Sequence, residues 1–173
     1  MEPNGKENPP IESGPQRFVA EFEPISVLFP STPKRIIVQD QPQVDAVHYL
    51  SRSADGKAQY TLSYQTFKNQ PPQNILAEVE FFNDYLNTRA MVSVNRKLYR
   101  KFIRFRGFTA VRFKHNTVSE EVESTHEGIV FLTENAAISL TCVYPAQTSP
   151  SLTFKDYTDS FELIKEKPQG EKK

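Results

Sequence analysis

The sequence predicts an α+β domain, a central and largely antiparallel β-sheet with helices packed on it. Three observations lead there. Apolar and polar residues alternate with period two in short segments across the first half of the chain, and again after residue 98. Between residues 74 and 90 the period lengthens to that of a helix, and a second helix-start signal stands at Thr153. Strands, helix, strands, helix is the order expected of helices laid on an antiparallel sheet rather than of alternating βα units.

Taken in order, short strands are expected at about 18–22, 25–29 and 35–39. The stretch from Ile25 to Arg35 contains Pro30 and Pro33. Proline has no N–H for a ladder and restricts the residue before it, so the pair turns the chain. Val27 and Phe29 then end one strand, and Ile36 and Val38 begin the next. Val44 to Ser51 and Ala58 to Thr66 read as a hairpin. Tyr60, Leu62 and Tyr64 take one face, and Gln59, Thr61, Ser63 and Gln65 the other. Asp55-Gly56 supplies the positive φ that the connecting turn needs. After Pro71-Pro72, Ile75, Leu76, Val79, Phe82 and Leu86 recur at helical spacing behind Asn74, a suitable N-cap. This predicts a helix over 74–90 lying across the sheet, with Phe81 and Tyr85 widening its apolar stripe. Four strands follow, Leu98 to Arg106, Phe108 to His115, Ser124 to Thr133 and Ala136 to Tyr144, with turns at Gly107 and Glu134-Asn135. Thr153-Phe-Lys-Asp156 has capping-box spacing and opens a short helix running into Tyr157 to Leu163.

With 173 residues the chain has the size of one domain. The folded body is expected over 17–164. Residues 1–16, rich in proline and polar side chains, read as a disordered leader, and 165–173 as a disordered charged tail. Lysine plus arginine equals aspartate plus glutamate, 21 against 21. The summed charge therefore gives no drive toward nucleic acid or an anionic membrane. No apolar run approaches the ~18 residues of a membrane span, and the first residues lack the apolar core of a signal peptide. A leader of this composition also follows a cleaved export signal or a lipid-anchoring cysteine, so membrane contact would come only through an anchor ahead of Met1. The expected location is extracytoplasmic, periplasmic or membrane-anchored, if Met1 is not the natural start, and cytoplasmic otherwise. Cys142 is the single cysteine, which excludes an intramolecular disulfide.

Several phrases, in order, resemble the PsbP-like family, whose fold is shared with Mog-type Ran-binding proteins and DcrB-type bacterial lipoproteins. They are Ser26-Val-Leu-Phe-Pro-Ser-Thr-Pro-Lys34, Tyr60-Thr-Leu-Ser-Tyr64 before the long helix, and Arg106-Gly107 in the following hairpin. Gly128 to Thr141 and Asp159-Ser-Phe-Glu-Leu163 complete the set, which spans most of residues 25–163. The resemblance implies an α/β/α sandwich around an antiparallel sheet, and no shared enzymatic activity. It includes extrinsic photosystem subunits, bacterial lipoproteins and many uncharacterised exported proteins.

The densest local feature is Arg96-Lys97, Arg100-Lys101, Arg104, Arg106, Arg112 and Lys114, eight basic residues with no acid among them. On a strand, Arg100, Arg104 and Arg106 would share a face with Phe102. Arg100, Arg104, Arg106, Arg112 and Lys114 are therefore the candidate contacts for a partner or an anion. The competing reading is a solvated face compensated by Glu120, Glu121, Glu123 and Glu127 on the next strand or its approach, and the charges favour it. His115 and His126 could meet across neighbouring strands near Glu127, but nothing has the tight spacing of a zinc site and no metal is expected. Cys142 shares a face with Ile138 and Leu140 and reads as core. Phe81, Phe82 and Tyr85 are expected to be core rather than a recognition ridge. No glycine-rich phosphate loop, serine elbow or dinucleotide fingerprint occurs, so neither cofactor nor catalytic residue is assigned. The function expected is a non-enzymatic protein-binding or assembly module of an exported or lipid-anchored protein, with an unidentified protein partner. An intracellular transport or regulatory binder, and polyanion binding through the basic hairpin, are the alternatives.

Overall fold

The computed structural model describes residues 14–38, 44–89 and 98–165. Arg96, Lys97, the end of the third expected strand at residue 39, and nearly all of the leader and tail lie outside them. Among the described residues ten strands form two antiparallel sheets, and two helices pack on them. The smaller has the order β1 (Gln16–Val19), β2 (Ile25–Phe29), β10 (Glu162–Leu163). The larger runs β3 (Lys34–Val38), β4 (Val44–Arg52), β5 (Gln59–Phe67), β9 (Ala136–Pro145), β8 (Val122–Leu132), β7 (Phe108–Ser119), β6 (Tyr99–Phe105). Helix α1 (Ile75–Arg89) covers part of one face of the large sheet; α2 (Phe154–Asp159) and the small sheet cover the other.

The period-two patterns account for this layering. In β5, Tyr60 and Leu62 are fully buried toward α2 and the small sheet, and β9 adds Ile138, Leu140 and Cys142 on the same side through the registers Tyr64↔Ile138, Leu62↔Leu140 and Tyr60↔Cys142. Phe29, Tyr157 and Phe161 close that core from above. The opposite face carries a smaller core, where Phe82 and Leu86 of α1 meet Val111, Phe113, Val130 and Leu132, with Phe81 and Tyr85 packed alongside. The aromatic residues of α1 are thus packing residues. Removing a Phe or Leu side chain from water contributes about 1.5–3 kcal/mol, which is what fixes α1 on the sheet.

The two prolines sit where the chain leaves one sheet for the other. β2 ends at Phe29, β3 begins at Lys34, and the strands belong to different sheets. Between them Ser31 is tied to β4. Its N–H donates to Ser51 Oγ at 3.2 Å, its hydroxyl donates to the Arg52 carbonyl at 2.9 Å, and Ser51 Oγ donates back to the Ser31 carbonyl at 2.8 Å.

Three expectations are corrected. The first strand is Gln16–Val19 rather than about 18–22, because residues 20–24 are needed for the hairpin turn, closed by Ala20 N–H donating to the Ile25 carbonyl at 3.0 Å. The last helix stops at Asp159, with Ser160 as its C-cap, and Glu162 and Leu163 pair with Ser26 and Ile25 as a strand. Thr153 does cap that helix, accepting from Asp156 N–H at 3.1 Å. In α1 the N-cap is Asn74, accepting from Ala77 N–H at 3.0 Å, yet Ile75 and Leu76 are 77% and 79% exposed. Ile75 lies seven residues before Phe82, two turns on the same side, so its exposure means that the first turn overhangs the packed region rather than facing away from it.

Candidate functional site

The basic residues sit on the hairpin of β6 and β7 at the edge of the large sheet. Arg106 and Gly107 form its two-residue turn, both with positive φ (51° and 88°), the geometry of a tight hairpin that matches strand twist. Glycine adopts it freely; Arg106 is held there by its guanidinium, which donates from Nη2 to the Asp159 carbonyl at 2.5 Å. Arg106 is therefore a turn residue joined to α2 and does not share the strand face of Arg100 and Arg104.

The register separates the remaining candidates. Arg100, Phe102 and Arg104 alternate onto the α1 face: the Phe102 ring lies 6.0 Å from that of Phe82, and Arg100 Nη1 donates to Asn83 Oδ1 at 2.9 Å. Arg104 donates to Thr109 Oγ1 at 3.3 Å and lines a shallow trough with Glu78 and Glu134. Arg112 and Lys114 point to the opposite face together with Lys101, which is directly across from Arg112. There the Arg112 guanidinium lies 5.4 Å from the Phe154 ring centre, and Lys114 Nζ is 2.7 Å from Glu127 Oε1. The hydrogen bond to Glu127 raises the affinity of Lys114 for its proton. Five cations that the sequence groups together thus occupy two faces and a turn.

The compensation by acidic residues is narrower than expected. Of the four glutamates only Glu127 makes an ion pair with the hairpin among the described residues. Glu120 and Glu121 adopt positive φ in the turn at the far end of β7 and β8, and Glu123 accepts from Asn116. β6 pairs with β7 only as far as Lys114, whereas β7 continues to Ser119, so this tip stands about 17 Å beyond the basic strand. Arg100, Lys101 and Arg104 make no ion pair among the described residues. Two exposed aromatic residues interleave with them, Tyr99 (55%) and Phe102 (45%).

His115 and His126 are directly opposed in the β7/β8 register, their rings stacked at 4.7 Å. Glu127, one position on, necessarily projects from the other face, where it meets Lys114. The His pair and the carboxylate therefore cannot converge on one ion, and no group of three metal-binding side chains occurs among the described residues. Cys142 is fully buried beside Tyr60, and burial pushes its thiol up to about 12, so it is protonated and enclosed at neutral pH. A cleft of about 390 Å³ opens between the β4/β5 turn and the loop after β9, lined by Ser53, Asp55, Lys57, Tyr144, Thr148 and Ser151. Sequence reasoning passed over this cleft, Tyr99 and Asn83, and counted Lys101 in the basic cluster without naming it a contact. The alternation Tyr99-Arg-Lys-Phe102 was visible, but that its strand is an edge is a property of the whole topology.

No family model matches the sequence, and no curated protein matches it as a relative. Solved structures do resemble it. The solution structure of cyanobacterial PsbP (CyanoP) from Synechocystis sp. PCC 6803 is similar over 95% of this chain and 98% of its own, with a TM-score of 0.58 at 12% identity. A crystal structure from Bacteroides thetaiotaomicron is similar over 89% of this chain, with a TM-score of 0.54 at 16% identity. The match covers 50% of that protein, so this chain spans about half its length. At such identities the likeness is one of architecture: the chain has a PsbP-like fold.

Proposed function

We propose that this chain is a non-enzymatic binding or assembly module that engages a protein partner through the basic outer edge of its large sheet. The observation that carries this reading is β6 itself, an edge strand on which exposed Tyr99 and Phe102 interleave with Arg100, Lys101 and Arg104, none of them ion-paired among the described residues. Aromatic and arginine side chains are the residue types that dominate binding energy at interfaces. The two arrangements that hinted at chemistry also weaken as such, the His pair being separated from Glu127 by the sheet and the Cys142 thiol being buried and protonated. The PsbP-like resemblance favours an exported or lipid-anchored setting, which fractionation of the tagged protein from its host tests; recovery only from the cytosol overturns it.

For the binding role, replace Arg100 and Arg104 with Ser, leaving the turn residue Arg106 in place, and follow capture of the partner identified by photo-crosslinking from position 101. Loss of capture with an unchanged thermal melt is the expected result. Undiminished capture removes this edge from the interface.

A further inference from the structure

Resting on that reading, we infer that the partner element is an extended acidic segment that adds to β6 as an additional antiparallel strand. The hairpin turn decides which backbone groups are available. A two-residue loop closes on a hydrogen-bonded pair, here Phe105 and Phe108, and pairs then alternate along an antiparallel ladder. Phe105, Ile103, Lys101 and Tyr99 therefore direct their N–H and C=O groups to β7, and those of Arg100, Phe102 and Arg104 point off the sheet. No described strand lies on that side of β6.

The same three residues send their side chains to one face, so an incoming strand meets hydrogen-bonding groups and a side-chain code together. In an antiparallel addition, residues directly opposite stand with Cβ atoms about 4.5–5.5 Å apart. The segment that fits carries an acid opposite Arg100, an apolar residue opposite Phe102 and an acid opposite Arg104, an acid-x-apolar-x-acid spacing. Lys101, on the other face, favours a further acid or a polar residue between them.

Cations on an edge strand commonly serve to repel strand pairing. On β6 they are all of one sign and interleaved with exposed aromatic side chains, which repels a second copy of the same edge while leaving an acidic strand attracted. The other edge of the sheet differs. On β3, Arg35 is held by Glu23 at 3.0 Å and is followed by the aliphatic Ile36, Ile37 and Val38, so that Lys34 at the strand's start is its one further cation and the edge carries no comparable alternation of charge and aromatic side chains.

The test uses the full chain and a capped, fluorescein-labelled peptide, Thr-Glu-Val-Phe-Thr-Glu-Thr, whose central Thr falls opposite Lys101, followed by anisotropy. Saturable binding is expected, weakened at least about tenfold when the amide nitrogens of its Glu and Phe residues are methylated, since this removes ladder bonds and keeps the charge. The double variant Arg100→Glu/Arg104→Glu loses the peptide and instead takes Thr-Lys-Val-Phe-Thr-Lys-Thr, a reversal that a misfolded variant would not show. Equal binding of the methylated peptide overturns strand addition while leaving the edge as an acid-binding surface. Failure of both peptides overturns the inference, and the Ser variants above then decide the binding role separately. Self-association of the free chain that is abolished by Arg104→Glu, or a heparin oligosaccharide that competes while methylation has no effect, likewise overturns it in favour of a second copy or a polyanion.

Discussion

Gly128 is the position at which one methyl group does the most damage. It lies directly opposite Phe113 in the β7/β8 register, and the Phe113 ring covers it. A Cβ added at Gly128 would stand 2.2 Å from Phe113 Cζ, 2.5 Å from Cε1 and 2.8 Å from Cε2. Carbon atoms in contact settle at about 3.5–4.0 Å, so the ring must withdraw by more than about 1 Å. It has little room, because Phe113 is buried in the cluster that holds α1 through Phe82 and Leu86. Overpacking of this kind costs about 1–3 kcal/mol, against which the backbone gains about 0.5–1 kcal/mol from losing a strand glycine. The net expectation for Gly128→Ala is a loss of about 1–2 kcal/mol, or a fall in Tm of about 2–8 °C for a domain of this size. Thermal and urea unfolding followed by circular dichroism measure it. Combining Gly128→Ala with Phe113→Leu should cost less than the sum of the single changes by about 1 kcal/mol or more, since the smaller side chain leaves space for the methyl. A Gly128→Ala protein as stable as the parent, or an additive double variant, would refute the steric argument.

Two buried tyrosines should respond oppositely to loss of the hydroxyl. Tyr157 OH has no hydrogen-bond partner among the described residues, so Tyr157→Phe is expected to be neutral or to stabilise by about 1 kcal/mol, whereas Tyr60→Phe strands the Leu152 carbonyl that Tyr60 OH donates to at 2.5 Å and should cost about 1–3 kcal/mol. The urea midpoints of the two variants check this, and a shift in the same direction for both would sink it. Alkaline pH should destabilise the fold: burial raises Cys142 from 9.0 to about 12, and raises Tyr60 and Tyr157 as well, so their contribution is complete below about pH 9 and is lost as pH rises toward 12. The urea midpoint should fall across pH 9–11, less steeply in Cys142→Ala; a flat or rising profile contradicts the sign.

Much of this fold is legible in the sequence because the signals are local. Tyr60, Leu62 and Tyr64 alternate with polar residues in a strand with partners on both sides, Asn74 and Thr153 mark real helix starts, and Asp55-Gly56 and Arg106-Gly107 make real turns. What failed depends on long-range packing. Ile75 has the right spacing to be buried, but the sheet beneath its turn is missing. Glu162 and Leu163 become a strand because Ser26 and Ile25, well over a hundred residues earlier, offer an edge. The basic cluster was visible as composition, while its division between faces follows from parity, and the isolation of Glu120 and Glu121 from β6 follows from the unequal lengths of the paired strands. That β6 is an edge appears only once all ten strands are arranged.

The small sheet has a mechanical consequence. β1 and β10 both run antiparallel to β2, hence parallel to one another, with β2 between them. The described chain enters this layer at Gln16 and leaves it after Leu163, so tension applied through its two ends pulls β1 backward and β10 forward along their own axes. The ladders Gln16↔Phe29 to Val19↔Ser26 and Glu162↔Ser26 to Leu163↔Ile25 are then loaded in shear, several bonds together, rather than unzipped one at a time. A chain tethered at one end and pulled at the other would resist at this layer, and β6, in the other sheet, would keep its shape until the small sheet gave way.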